Sequence, residues 1–373
     1  MMKMKNKPRR VLMTADAVGG VWQYALRLSR SLQAYDVEVH LATMGPSPDE
    51  QQRAEAAAIS NLKLYECSYK LEWMTDPWEE IEQASMWLLY LEQEIRPDVV
   101  HLNNYVFGEL PWDCPVIVVA HSCVLSWWQS VKDTEAPPVW QTYRQRVSKG
   151  LQSADQVVAV SQYMADQLQT YYGPLENIQV IHNGLENDYL PGEKKPEAFC
   201  MGRVWDEGKN IQIFRQAGVG SDWPLYLAGD GGEQMFSNIP GLHYLGKLDA
   251  EQVYNHLRRV SVYISPARYE PFGLAVLEAA AHGCALLLSD IPAYREIWGE
   301  AAHYFDPLNP DSLQNARKAL ESSPEMIAEM GEKAYQRSLK YGQKVSCAAY
   351  MQLYVKLFYQ LNQNERINSS YAN

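Results

Sequence analysis

Two parallel α/β layers in tandem are the architecture this sequence predicts, and three observations carry the prediction. Short β-rich runs alternate with helix-period stretches along the chain, the pattern of parallel strands covered by helices on both faces. The alternation breaks at Gly184–Pro196, a stretch rich in Gly, Pro and charge and without period, which reads as an interdomain linker. The length of 373 residues, 47% of them hydrophobic, suits two ordinary soluble domains better than one.

Before the linker, the predicted strands are Val11–Thr14, Val37–Ala42, Asp98–Leu102, Val116–Ala120, Gln156–Val160 and Ile178–Ile181. The helical patterns between them are Val21–Gln33, Pro77–Glu94 and Val139–Gln152. After it come strands at Ala198–Met201, Leu225–Ala228, His243–Leu245, Ser261–Ile264, Ala285–Leu288 and His303–Phe305, with helices at Ala250–Arg258, Leu274–His282 and Pro310–Ser322. A last apolar-periodic helix, Cys347–Leu361, precedes a polar tail at Asn362–Asn373. The predicted domains are residues 1–186 and 187–346, followed by a C-terminal segment, 347–373. Both halves are Rossmann-like and would leave a cleft between them. In doubly wound sheets ligands bind beyond the carboxyl ends of the strands, and the site residues below all follow predicted strands.

Composition excludes several classes. A net charge of −12 and a pI of about 5.2 argue against general nucleic-acid binding. No apolar run approaches the roughly 20 residues of a membrane span. The basic stretch Met1–Arg10 lacks the apolar core of a secretory signal. Cys67, Cys114, Cys123, Cys200, Cys284 and Cys347 are scattered and form no CxxC pair. They read as reduced residues of a cytoplasmic protein.

The chemistry concentrates in Glu270-Pro-Phe-Gly-Leu-Ala-Val-Leu-Glu278. Here a Pro-Phe-Gly turn feeds a helix. A helix starting at Gly273 or Leu274 leaves free N–H groups in its first turn, which with the helix dipole make a seat for phosphate. Glu270 stands before that seat and Glu278 one turn beyond it, at i+4 from Leu274. One carboxylate can accept from a sugar and the other from a ribose, with phosphates held between them.

Gly202-Arg-Val-Trp-Asp-Glu-Gly-Lys-Asn210 begins where the first strand of the second half ends. Arg203 offers a planar fork for phosphate oxygens and Lys209 a mobile point charge. Gly229 lies in a glycine-rich turn, Ala228 to Gly232, that lets backbone approach a ligand, although a tight turn alone explains such a signal. Gly19 and Gly20 follow the first strand and open a helix. The G-x-G-x-x-G fingerprint of dinucleotide enzymes is missing there. His121 follows the strand Val116–Ala120, where a side chain can reach the cleft. A lone histidine is more often structural. The chain has no D-x-D triplet and no H-x-x-x-H pair. No metal site is indicated, and cations with helix N–H groups would neutralise a diphosphate instead.

In order, the Gly19-Gly20 loop, His121, Val160-Ser161, Asn183-Gly184, Arg203…Lys209-Asn210, Gly229-Asp-Gly, Leu245-Gly-Lys247 and the E-x7-E segment resemble the retaining GT-B glycosyltransferases of family 4. The resemblance runs from Gly19 to about Leu320. It implies an acceptor-binding first domain, a nucleotide-sugar-binding second domain, and a C-terminal helix crossing back to the first. Glu270 would accept from a hexose hydroxyl, and backbone N–H groups around Phe272, Gly273, Leu274 and Ala275 would hold the hexose and β-phosphate. Glu278 would bind the ribose, Arg203 and Lys209 the diphosphate, and the segment around Leu245 would edge the base. His121 would touch the hexose near its 6-hydroxyl. One departure stands out: the family's usual spacing has four residues between the arginine and the lysine, and here five separate Arg203 from Lys209.

The implied reaction is transfer of a hexose with retention, without a metal cofactor, from a nucleotide sugar to a saccharide or lipid-linked saccharide, as in polysaccharide or glycolipid synthesis. UDP-glucose is the first choice of donor and GDP-mannose the second. The first half is rich in tryptophan, and Trp127 and Trp128 are its candidates for contact with a sugar acceptor. Arg144, Arg146 and Lys149 on one predicted helix, with the basic N-terminus, suggest peripheral contact with the inner face of a membrane, although such charge runs are usually solvated faces. Two other readings stay open: a GT-B-fold nucleotide-sugar epimerase or hydrolase, and a nucleotide-sugar-binding protein without turnover.

Overall fold

Apolar runs buried on both faces make the strands. The computed structural model describes residues 7–186, 191–219, 223–236 and 238–371. Seven strands form one parallel sheet: β1 (Arg10–Asp16), β2 (Glu38–Met44), β3 (Leu62–Glu66), β4 (Val99–Leu102), β5 (Val116–Ala120), β6 (Gln156–Ala159) and β7 (Ile178–Val180). Their order is β3-β2-β1-β4-β5-β6-β7. Six more form a second parallel sheet: β8 (Lys195–Met201), β9 (Leu225–Ala228), β10 (Leu242–Gly246), β11 (Val260–Ser265), β12 (Ala285–Ser289) and β13 (His303–Phe305). Their order is β10-β9-β8-β11-β12-β13. The switch of strand order beside β1 in one sheet and β8 in the other is the doubly wound arrangement, with ligand sites expected at the strands' carboxyl ends.

The sequence pattern misses β3. It is an edge strand, paired only to β2, and none of its residues is fully buried. Lys63 and Glu66 break the apolar run that marks the inner strands.

By its contacts the chain divides into two units. The first holds the residues up to Leu125, Ala136–Gly184 and the chain from Gln343 on; the second holds Ser126–Glu135 and Leu185–Gly342. Ser126–Glu135, although inside the stretch 1–186, groups with the second unit, where Ser126 Oγ lies 2.8 Å from the Tyr269 hydroxyl. Residues 187–190 of the predicted linker lie outside the described residues. The C-terminal helix starts at Gln343 and runs to Tyr371, so it takes in most of the stretch read as a polar tail. It packs on the helix Gly20–Leu32 and on β4, within the first unit. The second unit's core joins Leu225 and Leu227 of β9, Ile264 of β11 and Leu287 of β12 to Phe214, Leu313 and Leu320 from the covering helices.

A buried polar cluster ties the C-terminal helix to the first sheet. His101 on β4 is fully buried; its Nε2 lies 3.2 Å from the Tyr24 hydroxyl and its Nδ1 2.7 Å from the Tyr354 hydroxyl. Burial, reinforced by nearby His121, pushes the His101 pKa down to about 3. Burial likewise pushes His121 down to about 3. In the same unit, burial pushes Glu72 up to about 7, although the Tyr105 N–H and the Asn104 amide donate to it.

These groups oppose each other with acid. Each histidine is neutral when folded and binds a proton near pH 6.5 only when unfolded, so its stabilisation is present at pH 7 and lost as pH falls toward 3. Glu72 has the reverse sign: its contribution is full below its unfolded pKa and lost as pH rises through about 7. Two histidines outweigh one carboxyl, so stability falls from pH 7 to 5. Urea unfolding across this range should show His101→Gln flattening the acid slope, by up to about 1.4 kcal/mol per pH unit at its acid end, and Glu72→Gln steepening it. Parallel slopes in all three proteins would contradict these protonation states.

Candidate active site

The segment joining β11 to the helix Leu274–Ala281 carries the acidic pair. Gly273 is the N-cap, at φ 90° and ψ 66°, a left-handed conformation that glycine takes without steric penalty. Among the described residues no side chain caps this helix, and its first turn contains no acidic residue. The orphan N–H groups of that turn therefore have no local carboxylate to satisfy them. Phe272 is 2% exposed and packs edge-on against Tyr341 at 5.7 Å, so what it offers a ligand is backbone. Leu274, Ala275 and Glu278 are half-buried. Tyr294 lies beneath, its hydroxyl 2.6 Å from Ser265 Oγ.

The loop after β8 comes to meet this segment. Lys209 Nζ donates to Glu270 Oε2 at 2.5 Å, with both side chains about four-fifths buried. Two backbone bonds fix that approach: the Arg268 and Tyr269 N–H groups both donate to the Gly208 carbonyl, at 2.9 and 3.2 Å. The extra residue between Arg203 and Lys209 is taken up by a 3-10 turn, Glu207–Lys209. Asp206 caps the turn, its Oδ1 accepting from the Gly208 N–H at 2.9 Å. Asn210 closes it in the left-handed region, its Nδ2 donating to the Pro266 and Pro307 carbonyls, both at 2.9 Å. The altered spacing thus still delivers Lys209 to Glu270.

Arg203 takes a different partner. Its Nη2 donates to Asp206 Oδ2 at 2.6 Å, and its guanidinium lies 5.3 Å from the ring centre of exposed Trp205. Its buried Nε has no hydrogen-bond partner among the described residues. Burial pushes the Asp206 carboxyl up, but the Arg203 and Lys209 charges outweigh it and hold the pKa below the usual value. Asp206 therefore stays ionised and orients the arginine.

Gly229 belongs to the same group of strand ends. A Cβ there would stand 2.0 Å from the Gly202 carbonyl oxygen, so only glycine lets the ends of β8 and β9 approach this closely. The Tyr244 hydroxyl braces this turn, donating to the Gly229 carbonyl at 2.5 Å and accepting from the Gly232 N–H at 2.9 Å. Leu245, next to Tyr244 on β10, is half-buried.

In the first unit, Gly19 precedes the helix Gly20–Leu32, and His121 follows β5. His121 Nε2 lies 2.8 Å from Asn103 Oδ1, and the Tyr24 ring stands edge-on at 4.5 Å. Trp127 and Trp128 lie on the helix Val124–Lys132, in the part that groups with the second unit. The Trp127 Nε1–H points to Asp206 Oδ1 at 3.4 Å, and the indole crowds Gly208. Trp127 thus braces the cationic loop, and Trp128 packs edge-on against it at 5.8 Å.

Residues 18–189 match the family model described as Glycosyltransferase Family 4, and residues 186–337 match the one described as Glycosyl transferases group 1. The chain is a GT-B glycosyltransferase of the family 4 type. It is 26% identical to the D-rhamnosyltransferase WbpZ of Pseudomonas aeruginosa, with 87% of this chain and 88% of that protein covered. Among solved structures it is similar to the sucrose-phosphate synthase of Thermosynechococcus elongatus, at a TM-score of 0.79 and 16% identity, covering 94% of this chain and 100% of that one. It is also similar to Anabaena HepE in complex with UDP-glucose, at a TM-score of 0.72 and 14% identity, covering 92% and 98%. At these identities the solved structures establish the GT-B fold.

Several residues that shape this candidate site escaped sequence reasoning. Asp206 was legible only as a loop polar, although an aspartate two residues before a glycine is a common turn cap, and Asn210 was legible only as part of the motif order, not as the residue that closes the turn. Tyr244 and Tyr294 carry no sequence signal, since their roles come from neighbouring strands. The Gly229 geometry gives a prediction. Gly229→Ala should lower stability by about 1–3 kcal/mol in urea unfolding, the range for a forced steric clash. Unfolding like wild type would contradict the close approach of β8 and β9.

Proposed function

We propose that this glycosyltransferase moves a hexose, glucose by first choice, from a UDP-sugar to a saccharide or lipid-linked saccharide acceptor with retention of configuration. The observation that carries this reading is the Lys209–Glu270 pair beside the uncapped first turn of the helix Leu274–Ala281. An ammonium, a carboxylate and free N–H groups in one place match the diphosphate and hydroxyls of a nucleotide sugar. Arg203, with an unsatisfied Nε, adds a second cation for phosphate. Glu278 takes the ribose, the segment at Leu245 edges the base, and Gly229, Gly19 and Gly20 let backbone come near the ligand. His121 faces the hexose 6-hydroxyl. UDP-glucose is preferred over GDP-mannose because a fold neighbour was solved with UDP-glucose.

In the reaction the bond between the anomeric carbon and the leaving diphosphate oxygen breaks, and the acceptor oxygen attacks from the same face. The departing diphosphate takes the acceptor's proton. Lys209, Arg203 and the helix N–H groups stabilise the charge that develops on it, without a metal. Trp128 remains the aromatic candidate for acceptor contact, since Trp127 is engaged by Asp206. For peripheral contact with the inner face of the cytoplasmic membrane, exposed Arg144 and Lys149 are the available cations. Arg146 is taken by Glu82 and Glu109 at 2.5 and 3.1 Å. No helix among the described residues is long and apolar enough to cross a membrane.

A hydrolysis screen over nucleotide sugars fixes base and sugar together, and UDP-glucose should be turned over fastest. Free sugar or an epimer formed at full rate despite added saccharide acceptors would favour the hydrolase or epimerase reading, and binding without turnover the non-catalytic one. Glu270→Ala and Lys209→Ala should each lower kcat/KM by roughly 10²–10³, and the double variant little further, because the two act as a unit. Near-wild-type turnover in Glu270→Ala would defeat the assignment. Arg203→Ala should weaken UDP binding in calorimetry; unchanged affinity would put Arg203 outside the site.

A further inference from the structure

Asn103, just beyond β4, has only one amide orientation that satisfies its neighbours. Its Nδ2 donates to the Thr14 carbonyl at 2.6 Å, and a carbonyl can only accept. Its Oδ1 therefore faces His121 Nε2, at 2.8 Å. An amide oxygen also only accepts, so Nε2 must carry the imidazole proton. The loop is pinned a second time where the Asn103 N–H donates to Thr14 Oγ1 at 2.9 Å, and Thr14 itself is fully buried on β1. The edge-on Tyr24 ring confines the imidazole from the side. Tyr24 is in turn held by His101, which the Tyr354 hydroxyl bonds from the C-terminal helix. Burial keeps His121 neutral. A neutral imidazole protonated on Nε2 has a bare lone pair on Nδ1, and no described residue donates to it.

We infer that Asn103 is a positioning residue that locks His121 with Nδ1 as a hydrogen-bond acceptor, so that His121 receives a hydrogen from a donor-sugar hydroxyl and cannot give one. The inference rests on the reading that His121 faces the hexose 6-hydroxyl. It adds a direction to that contact: the sugar must supply an O–H, and a donor without the 6-hydroxyl leaves the lone pair unmatched.

The test has one arm that does not depend on the sugar. In the full chain labelled with ¹⁵N-histidine at pH 7, with His121→Ala used to assign the signals, His121 should show a protonated Nε2 and a bare Nδ1 as a single tautomer. In Asn103→Ala the two nitrogens should average. In the second arm, the ratio of kcat/KM for UDP-glucose to that for UDP-6-deoxyglucose should fall roughly three- to tenfold in His121→Ala, the worth of one neutral hydrogen bond. It should fall by a smaller factor in Asn103→Ala, where the averaged imidazole still offers a bare Nδ1 part of the time, and the double variant should fall no further than His121→Ala. A proton on Nδ1 in the wild type, or an Asn103→Ala variant with unchanged tautomer and ratio, would overturn the inference. The expected tautomer with a ratio insensitive to His121→Ala would instead sink the placement of the hexose at His121, and with it the recognition role inferred for Asn103.

Discussion

The site in the second unit depends on one small interaction, the Gly208 carbonyl accepting two consecutive backbone N–H groups, those of Arg268 and Tyr269. It joins the loop after β8 to the loop after β11, two segments that come from neighbouring strands but are far apart in sequence. With that join in place, Lys209 and Glu270 have no choice but to meet, and the side chains around them serve to hold the join. Asp206 caps the turn that presents the Gly208 carbonyl, Asn210 ties its far end to Pro266 and Pro307, and Trp127 closes over Gly208. An ion pair built on a loop alone would lose side-chain entropy for a modest Coulombic gain. Here the backbone has already fixed both partners, so the pair forms with little further loss of freedom.

The same logic separates what each carboxylate does. Asp206 is spent on structure: it caps a turn and orients Arg203, and the two neighbouring cations hold it ionised. Glu270 stands at the mouth of a helix whose first turn has no side-chain cap, so its pairing with Lys209 leaves the N–H groups of that turn for something else. A loop after one strand supplies the cations and the helix after a neighbouring strand supplies the dipole, an arrangement that the doubly wound topology makes available at the ends of its strands.

Most of the sheet framework was legible because inner parallel strands are apolar on both faces, so Val116–Ala120 and Ala285–Ser289 announce themselves. The edge strand Leu62–Glu66 did not, because half-exposure mixes Lys and Glu into it. Several helices were also missed, and their signals lie in the caps rather than in period. Asp49 and Gln52 form a capping box for Glu50–Ala57, and Ser323 with Pro324 opens Pro324–Ser338. In the candidate site, residue type and order single out the E-x7-E segment and the two cations, and the structure brings Lys209 to Glu270. The braces could not be read this way, because Tyr244, Asn103 and Trp127 act across strands or loops, and no linear spacing records such contacts.

The most direct measurement is a crystal structure of this chain soaked with UDP. The account predicts diphosphate density in contact with the N–H groups at the start of the helix Leu274–Ala281, with Lys209 and Arg203 turned toward it and Glu278 on the ribose. Density away from that helix, with Lys209 still bound to Glu270 and Arg203 still bound to Asp206, would contradict it.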